Sequence, residues 1–168
     1  MTGRGKTFER RVSNGLRETS GWWYRIPDYQ HFFPRTLKPF RQMKAPADFL
    51  TVQYGHMYLI ECKSTRSRKS FPFDRLESHQ EESLLQASKH DGLHSLVLME
   101  IIGERNEMRC WGLTIEQFQA LKQKRKDEGF KSAKWGHIHR AGIEIFRRGR
   151  GYYLDPLFVN GRPVQERL

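Results

Sequence analysis

The chain has 168 residues, with 30 Lys and Arg against 19 Asp and Glu, so its formal net charge is +11. This length suits one ordinary domain and is short for two. Its apolar runs span only a few residues, whereas a membrane-spanning helix needs about 20, which excludes a membrane protein. The N-terminus also lacks the apolar run of a secretory signal. With only two, distant cysteines and hence no disulfide framework or CxxC zinc half-site, we expect a reduced, cytoplasmic protein.

The positive charge indicates a polyanionic partner, most simply nucleic acid. It is unevenly spread, because residues 1–44 carry ten basic and three acidic side chains, which is +7 of the +11. The alternative is a basic surface that is only solvated.

The N-terminal third predicts a helix, a strand and a long irregular segment. Phe8, Val12 and Leu16 recur every four residues and predict an amphipathic helix over residues 5–19. Residues 22–26 read as a short strand. Residues 27–44 hold three prolines, four aromatic residues and four bases, and prolines preclude a central strand or a long helix. We expect this segment to project from the domain as a basic, aromatic loop.

The remaining elements predict an α/β fold with a central mixed sheet flanked by helices. In chain order they are strands over 47–53 and 56–63, a helix over 76–90, strands over 95–102 and 108–113, and a helix from a capping box at Thr114 to about Glu128. Residues 130–168 form a C-terminal tail of uncertain structure, in which 142–146 and 152–154 suit short strands.

The hairpin of residues 47–63 carries the chemistry. If Tyr54 and Gly55 form a two-residue turn, Asp48 lies directly opposite Glu61 and shares its face with Lys63. Two opposed carboxylates repel unless a divalent cation lies between them, and Mg²⁺ takes one or two carboxylates. A lysine beside them can stabilise charge on a phosphate. The alternative is a surface strand face with a Lys–Glu pair, but near-continuous apolar flanks predict strands that are covered on both faces.

Two more polar residues point towards this site. Gln80 falls on the apolar stripe of the helix over 76–90, where an amide needs a partner. Its alternative is a core glutamine that the backbone satisfies. Glu9 lies at the edge of the first helix's stripe, and its alternative is an exposed partner of Arg10 or Arg11. Cys62 faces away from the site and is expected in the core.

The motif Pro46-Ala47-Asp48 followed by Glu61-Cys62-Lys63 resembles that of the PD-(D/E)xK nucleases, whose fold is restriction-endonuclease-like. The surrounding motifs at residues 5–9, 70–73 and 78–80 are similar to those of RecU-type Holliday junction resolvases, over roughly residues 3–113. Pro46 departs from the hydroxyl residue usual there and matches the archaeal Hjc-type resolvases. The departure marks a divergent or intermediate member and leaves a viral origin open.

The resemblance implies a single nuclease domain, a Mg²⁺ cofactor that Mn²⁺ can replace, no small-molecule cofactor, and a homodimer that resolves four-way DNA junctions by paired symmetric nicks in recombination and repair. It implies Asp48, Glu61 and the Cys62 carbonyl as metal ligands, Lys63 as the catalytic lysine, Gln80 as an orienting residue and Glu9 as a supporting acid. It also implies a stalk, which residues 27–44 would form.

We expect DNA contacts from the basic residues around these elements: Arg4, Lys6, Arg10, Arg35, Lys38, Arg41, Lys44, Arg66, Arg68 and Lys69. The run Arg147-Arg148-Gly149-Arg150 is either solvated or a further contact to the DNA backbone. Two alternatives to a resolvase remain, namely another nuclease of this superfamily that acts on a sequence or a DNA end, and a non-catalytic DNA-binding module.

Overall fold

The computed structural model describes residues 3–27, 45–103 and 107–158. The helices are α1 (Gly3–Glu18), α2 (Ser78–Ala87), α3 (Ile115–Asp127) and α4 (Trp135–Ala141), with 3-10 turns at Phe73–Arg75 and Asp155–Leu157. The strands are β1 (Trp22–Arg25), β2 (Phe49–Gln53), β3 (His56–Thr65), β4 (Ser70–Pro72), β5 (Leu93–Ile102), β6 (Met108–Thr114), β7 (Ser132–Lys134), β8 (Ile143–Ile145), β9 (Arg147–Arg148) and β10 (Gly151–Tyr152).

Six strands form the central sheet in the order β1-β2-β3-β5-β6-β8. β3 and β5 are parallel and the other neighbours are antiparallel, so the sheet is mixed. Two small sheets, β4 with β7 and β9 with β10, lie outside it. The predicted α/β fold with a central mixed sheet between helices is therefore confirmed.

Helices cover both faces of the sheet, and the side chains of β5 point alternately into the two cores that result. Leu96 and Leu98 pack with the α1 stripe Phe8, Val12 and Leu16, whereas Val97 and Met99 belong to a second core with α2 and α3. A strand buried on both faces has a continuous apolar run, as residues 96–99 do. No helix in the described part of the chain is long and apolar enough to cross a membrane.

The predicted elements differ from the observed ones mainly at their ends. The helix predicted over 76–90 begins at Ser78, where Glu77 forms the N-cap, and β3 continues to Thr65. The C-terminal region holds more regular structure than we expected, since β7, α4 and β9 lie in it, and β8 falls within the predicted strand 142–146. The projecting loop predicted over 27–44 lies outside the described residues, except for Pro27.

Candidate active site

The hairpin of β2 and β3 positions the two central carboxylates. Tyr54 and Gly55 have φ values of 51° and 81°, the positive pair that a two-residue type I′ turn requires. Phe49 therefore pairs with Ile60 at the end of the ladder. The direct pairing of Asp48 with Glu61 that the sequence predicts is not part of this ladder, but the two carboxyls lie close enough for the Glu61 charge to raise the pKa of Asp48. The Asp48 N–H donates to the carbonyl of the same Ile60 at 3.0 Å, so Asp48 departs from the regular register just beyond the end of β2.

Asp48 is fixed by the backbone of the neighbouring strand. Its Oδ2 accepts a hydrogen bond from the Cys62 N–H at 2.7 Å. Cys62 itself is buried in the core beneath α1, as expected from its position between Glu61 and Lys63. The Cys62 backbone therefore orients the Asp48 carboxylate, while its carbonyl oxygen as a metal ligand stays a prediction.

Glu61 is buried, with 1% of its surface exposed, and its two oxygens have different surroundings. Oε1 lies 2.7 Å from Lys63 Nζ and accepts a second hydrogen bond, also of 2.7 Å, from Gln80 Nε2. Oε2 is buried and has no hydrogen-bond partner in the described structure. A carboxylate oxygen left in this way is costly unless it receives a proton or a cation.

Burial dominates the electrostatics of both acids. Burial and the facing Glu61 charge raise the pKa of Asp48 to about 8, against the lowering effect of the Cys62 N–H and Lys63. Burial also raises the pKa of Glu61, although the Lys63 ammonium opposes the shift. The Glu9 charge raises the pKa of both carboxyls. The fold thus holds the buried carboxyl groups of Asp48 and Glu61 close together, and a proton or a cation that neutralises their charge would stabilise this arrangement.

The donor set fits a hard divalent cation. The unpartnered Glu61 Oε2 and the Asp48 carboxylate supply the oxygen ligands that Mg²⁺ prefers, and two carboxylates are as many as such a site needs, since water and phosphate oxygens complete it. No cluster of three or more His, Cys, Asp or Glu side chains suited to a metal occurs in residues 3–27, 45–103 and 107–158.

Gln80 is held at both ends of its amide. Its Oε1 accepts from the Glu77 N–H at 3.3 Å in the capping box that starts α2, and its Nε2 donates to Glu61. The helix terminus therefore sets the orientation of Gln80, and Gln80 sets that of Glu61. The prediction of an inward-facing Gln80 agrees with this position, and the direct contact with Glu61 adds its partner.

Replacing Gln80 by Leu is expected to weaken metal-dependent cutting about 10- to 100-fold, because residues that orient metal ligands have effects of this size. The measurement is the rate of DNA cutting against Mg²⁺ concentration, with Gln86→Leu on the exposed face of α2 as the matched control. Equal rates for the two variants would contradict the orienting role.

Glu9 approaches the site from α1 and is buried. It forms an ion pair with Arg25 of β1, not with Arg10 or Arg11 as the alternative supposed. Arg11 turns to the opposite side of the α1 stripe and binds Glu100. Sequence reasoning missed Arg25, although strand alternation puts it on the face of Trp23, which packs against the core under α1.

The predicted DNA contacts lie partly within the described structure. Lys6 and Arg10 are exposed on α1, and Arg66, Arg68 and Lys69 are exposed just beyond the end of β3, three to six residues after Lys63 in sequence. The side chain of Arg4 and all of Arg35, Lys38, Arg41 and Lys44 lie outside the described residues. A DNA-binding role for each remains a prediction.

Comparisons with known proteins define the family. The family model described as "RecU: Recombination protein U" matches residues 34–157, which is most of the chain. The chain belongs to this family. The match includes β2, β3, α2 and most of the C-terminal third, which the resemblance in sequence covered only weakly, and it begins after α1, so it carries no support for Glu9.

Among solved structures, the chain is similar to Hjc, a Holliday junction resolvase from the archaeal hyperthermophile Archaeoglobus fulgidus. The identity is 16%, the TM-score is 0.45, and the alignment covers 68% of this chain and 75% of that one. No curated protein sequence matches the chain. The family match confirms the predicted RecU-type resemblance and, with it, a nuclease that resolves Holliday junctions.

Proposed function

We propose that the chain is a Mg²⁺-dependent endonuclease that acts as a homodimer and resolves four-way junctions by two symmetric nicks, with Mn²⁺ able to replace Mg²⁺. The observation that carries the metal dependence is the buried, unpartnered Oε2 of Glu61, whose carboxyl lies close to that of Asp48. The free thiols of Cys62 and Cys110 fit the expected cytoplasmic location.

In this proposal Asp48 and Glu61 hold the metal, together with the Cys62 carbonyl. A divalent cation held there would supply a water nucleophile of lowered pKa and positive charge to neutralise the phosphate. The protein contributes the orientation of its ligands, since the Cys62 N–H fixes Asp48 and Gln80 fixes Glu61.

Lys63 has a second task beside its contact with Glu61. An ammonium group has three donors, and the 2.7 Å contact with Glu61 Oε1 uses one of them. The remaining donors are available to a phosphate oxygen or to water. Glu9 and its partner Arg25 border the site, where Glu9 supports the negative potential that attracts a cation and Arg25 offers a guanidinium to the DNA.

The decisive experiment compares the cutting of a four-way junction that cannot branch-migrate with the cutting of a linear duplex that has the sequence of its arms. Each strand of each substrate is labelled in a separate reaction. We expect Mg²⁺-dependent cuts at symmetric positions on two opposing strands of the junction and little cutting of the duplex. Equal cutting of both substrates would favour a general nuclease of this superfamily, and binding without cutting would favour a non-catalytic module.

A homodimer needs a surface, and the sheet offers one near its β1 edge. Trp22 and Tyr24 stack with ring centroids 6.2 Å apart and are 57% and 51% exposed, and Met57 is 42% exposed. Trp22 lies opposite Val52 and Val52 opposite Met57, so these side chains share one face. Exposed apolar patches of this kind mark interaction surfaces, and a twofold axis here would pair the patch with itself.

Replacing Trp22 by Glu is therefore expected to convert the dimer to a monomer, as measured by sedimentation or light scattering. Phe146→Glu is the matched control, since Phe146 is 68% exposed but lies between β8 and β9, away from this patch. Loss of the dimer in both variants, or in neither, would place the interface elsewhere, and a monomeric parent protein would contradict the homodimer.

A further inference from the structure

A cleft rich in arginine lies between α1, the start of β6 and the β9–β10 hairpin. It has a volume of about 570 Å³ and none of its lining residues is acidic. The lining residues are Arg10, Arg11, Asn14, Met108, Arg147 and Arg150. None of these residues is part of the candidate metal site. On α1, Arg11 and Asn14 lie on one side of the apolar stripe, and Glu9, which approaches the metal site, lies on the other side.

The cleft is held in shape by a close backbone contact. Gly151 of β10 approaches α1 so tightly that a Cβ atom there would lie 2.6 Å from the Gly15 nitrogen, and a Cβ at Gly15 would lie 2.2 Å from the Tyr152 carbonyl oxygen. Asn14 Nδ2 donates to the Arg150 carbonyl at 3.2 Å. The hairpin is therefore docked directly on the helix, which fixes the bases of both elements next to each other.

The charges of the cleft are mostly unbalanced. Arg11 donates to the buried Glu100 at 2.9 and 2.6 Å, and this is the only carboxylate that any of the four arginines binds within the described residues. Arg147 contacts the Met108 sulfur and the Gly149 carbonyl, both neutral groups. Holding Arg10, Arg147 and Arg150 together without a counter-charge costs free energy, and an anion in the cleft would remove that cost.

The sheet register locates the cleft relative to the cut. Glu61 is level with Val97 and Leu113, so Met108 lies two strands across and five residues along, which is about 20 Å within the plane of the sheet. The cleft is displaced from Glu61 towards the carboxyl end of β3, and the basic residues Arg66, Arg68 and Lys69 follow that end in the sequence. The cleft is on the side of the sheet that α1 covers, whereas Glu61 contacts Gln80 of α2 on the other side, and these basic residues follow β3 at the same end of the sheet as the cleft.

We propose that this cleft binds a backbone phosphate of the DNA substrate several nucleotides from the phosphate that is cut. The proposal rests on the proposed function for the identity of the ligand, a DNA phosphodiester. Guanidinium groups bind phosphate oxygens through paired, charge-assisted hydrogen bonds, and Asn14 adds a neutral donor at the cleft wall. A contact to the backbone at this distance would fix the register of one junction arm on the protein.

The test uses two double variants with the same net charge. Arg147→Gln with Arg150→Gln removes two charges from the cleft, and Lys131→Gln with Arg140→Gln removes two from exposed positions elsewhere, so each protein changes from +11 to +9. Binding to a four-way junction and to a linear duplex is measured with Ca²⁺ in place of Mg²⁺, over a range of salt. Arg150→Gln alone is the second cleft variant, because the hydrogen bond from Asn14 that docks the hairpin on α1 uses the Arg150 backbone carbonyl, which the substitution keeps.

We expect the cleft variants to bind both DNAs about tenfold more weakly than the parent, with a salt slope shallower by about 1, and the control to stay close to the parent. Ethylation of single phosphates is expected to block binding of the parent at a position away from the cut, and to have no effect there on the cleft variants. Equal losses in the cleft and control variants, or an unchanged ethylation pattern, would overturn the proposal.

Two further outcomes separate this proposal from the others. If the parent cuts junctions but the cleft variants bind DNA normally, the cleft proposal alone fails. If the parent binds DNA but cuts no junction, the proposed function fails, and the duplex measurements still decide whether the cleft holds a backbone phosphate. Tight binding of inorganic phosphate in the cleft, with unchanged DNA affinity in the variants, would assign it to a free anion and overturn the proposal.

Discussion

Replacing Asp48 by Asn is expected to reduce junction cutting about a thousandfold or more while the protein stays folded. The substitution keeps the shape of the side chain, and the new amide carbonyl can still accept the Cys62 N–H. It removes one of the two charges that face each other across the hairpin and that the proposed cation requires. The measurement is the single-turnover rate of strand cutting at saturating Mg²⁺, together with circular dichroism of the variant.

The same substitution is expected to raise the stability of the metal-free protein at neutral pH. The pKa of Asp48 is raised from an ordinary value of 3.8 to about 8, so the folded state disfavours the ionised carboxyl that the unfolded state prefers. This destabilisation is absent below about pH 4, grows as the pH rises towards 8, and is then complete. The amide of the Asp48→Asn variant cannot ionise, so that variant avoids the destabilisation.

The check is thermal unfolding in EDTA from pH 4 to 9. We expect the Tm of the Asp48→Asn variant to exceed that of the parent increasingly as the pH rises, and added Mg²⁺ to stabilise the parent alone. Asp155→Asn, in the C-terminal 3-10 turn, is the matched control. A variant that cuts DNA, or that loses stability most at high pH, would contradict the assignment of Asp48.

The β2–β3 hairpin could be predicted from sequence because its geometry is local. A two-residue turn at Tyr54 and Gly55 sets the register as far as the Phe49–Ile60 pair, which brings the adjacent Asp48 close to Glu61. The stripes of α1 and of the helix around Gln80 likewise follow from periodicity. Each of these signals needs only a few neighbouring residues.

Other features depend on partners that are distant in sequence. β4 is three residues long and exists because it pairs with β7, more than fifty residues later. The start of α2 is set by the Glu77–Gln80 capping box, which the apolar pattern from Leu76 does not reveal. The stripe of α1 predicts the flanks on which Glu9 and Arg11 lie, but not that Arg25 and Glu100 bind them. Contacts between residues that are distant in sequence decide such features, and these contacts cannot be derived from local patterns in a single sequence.

The interaction that ties α1 to the C-terminal region is buried and charged. Arg11 binds the Glu100 carboxylate, and the Tyr152 hydroxyl donates to Glu100 Oε1 at 2.6 Å. Burial raises the pKa of Tyr152, and the Glu100 charge raises it further, so the hydroxyl stays protonated and keeps donating. Three elements, α1, β5 and β10, therefore meet at one carboxylate that has no exposed surface.

Replacing Glu100 by Gln is expected to destabilise the protein by about 3–5 kcal/mol, because it leaves the Arg11 charge buried without a counter-charge. At about 2–4 °C per kcal/mol for a chain of this size, the Tm falls by roughly 10 °C. The measurement is thermal or urea unfolding. The control is Glu144→Gln, which breaks the more exposed Arg109–Glu144 pair and is expected to cost less than about 1 kcal/mol.

A similar small loss in both variants would mean that water reaches Arg11 and that the pair is not a buried one. The expected large loss has a second consequence, since Tyr152 is the residue through which Glu100 holds the β9–β10 hairpin against α1. A variant that stays folded at low temperature should then bind DNA more weakly, as Arg147 and Arg150 move away from Arg10. The carboxylate that stabilises the fold would in this way also keep the arginine cleft assembled, although it touches no DNA itself.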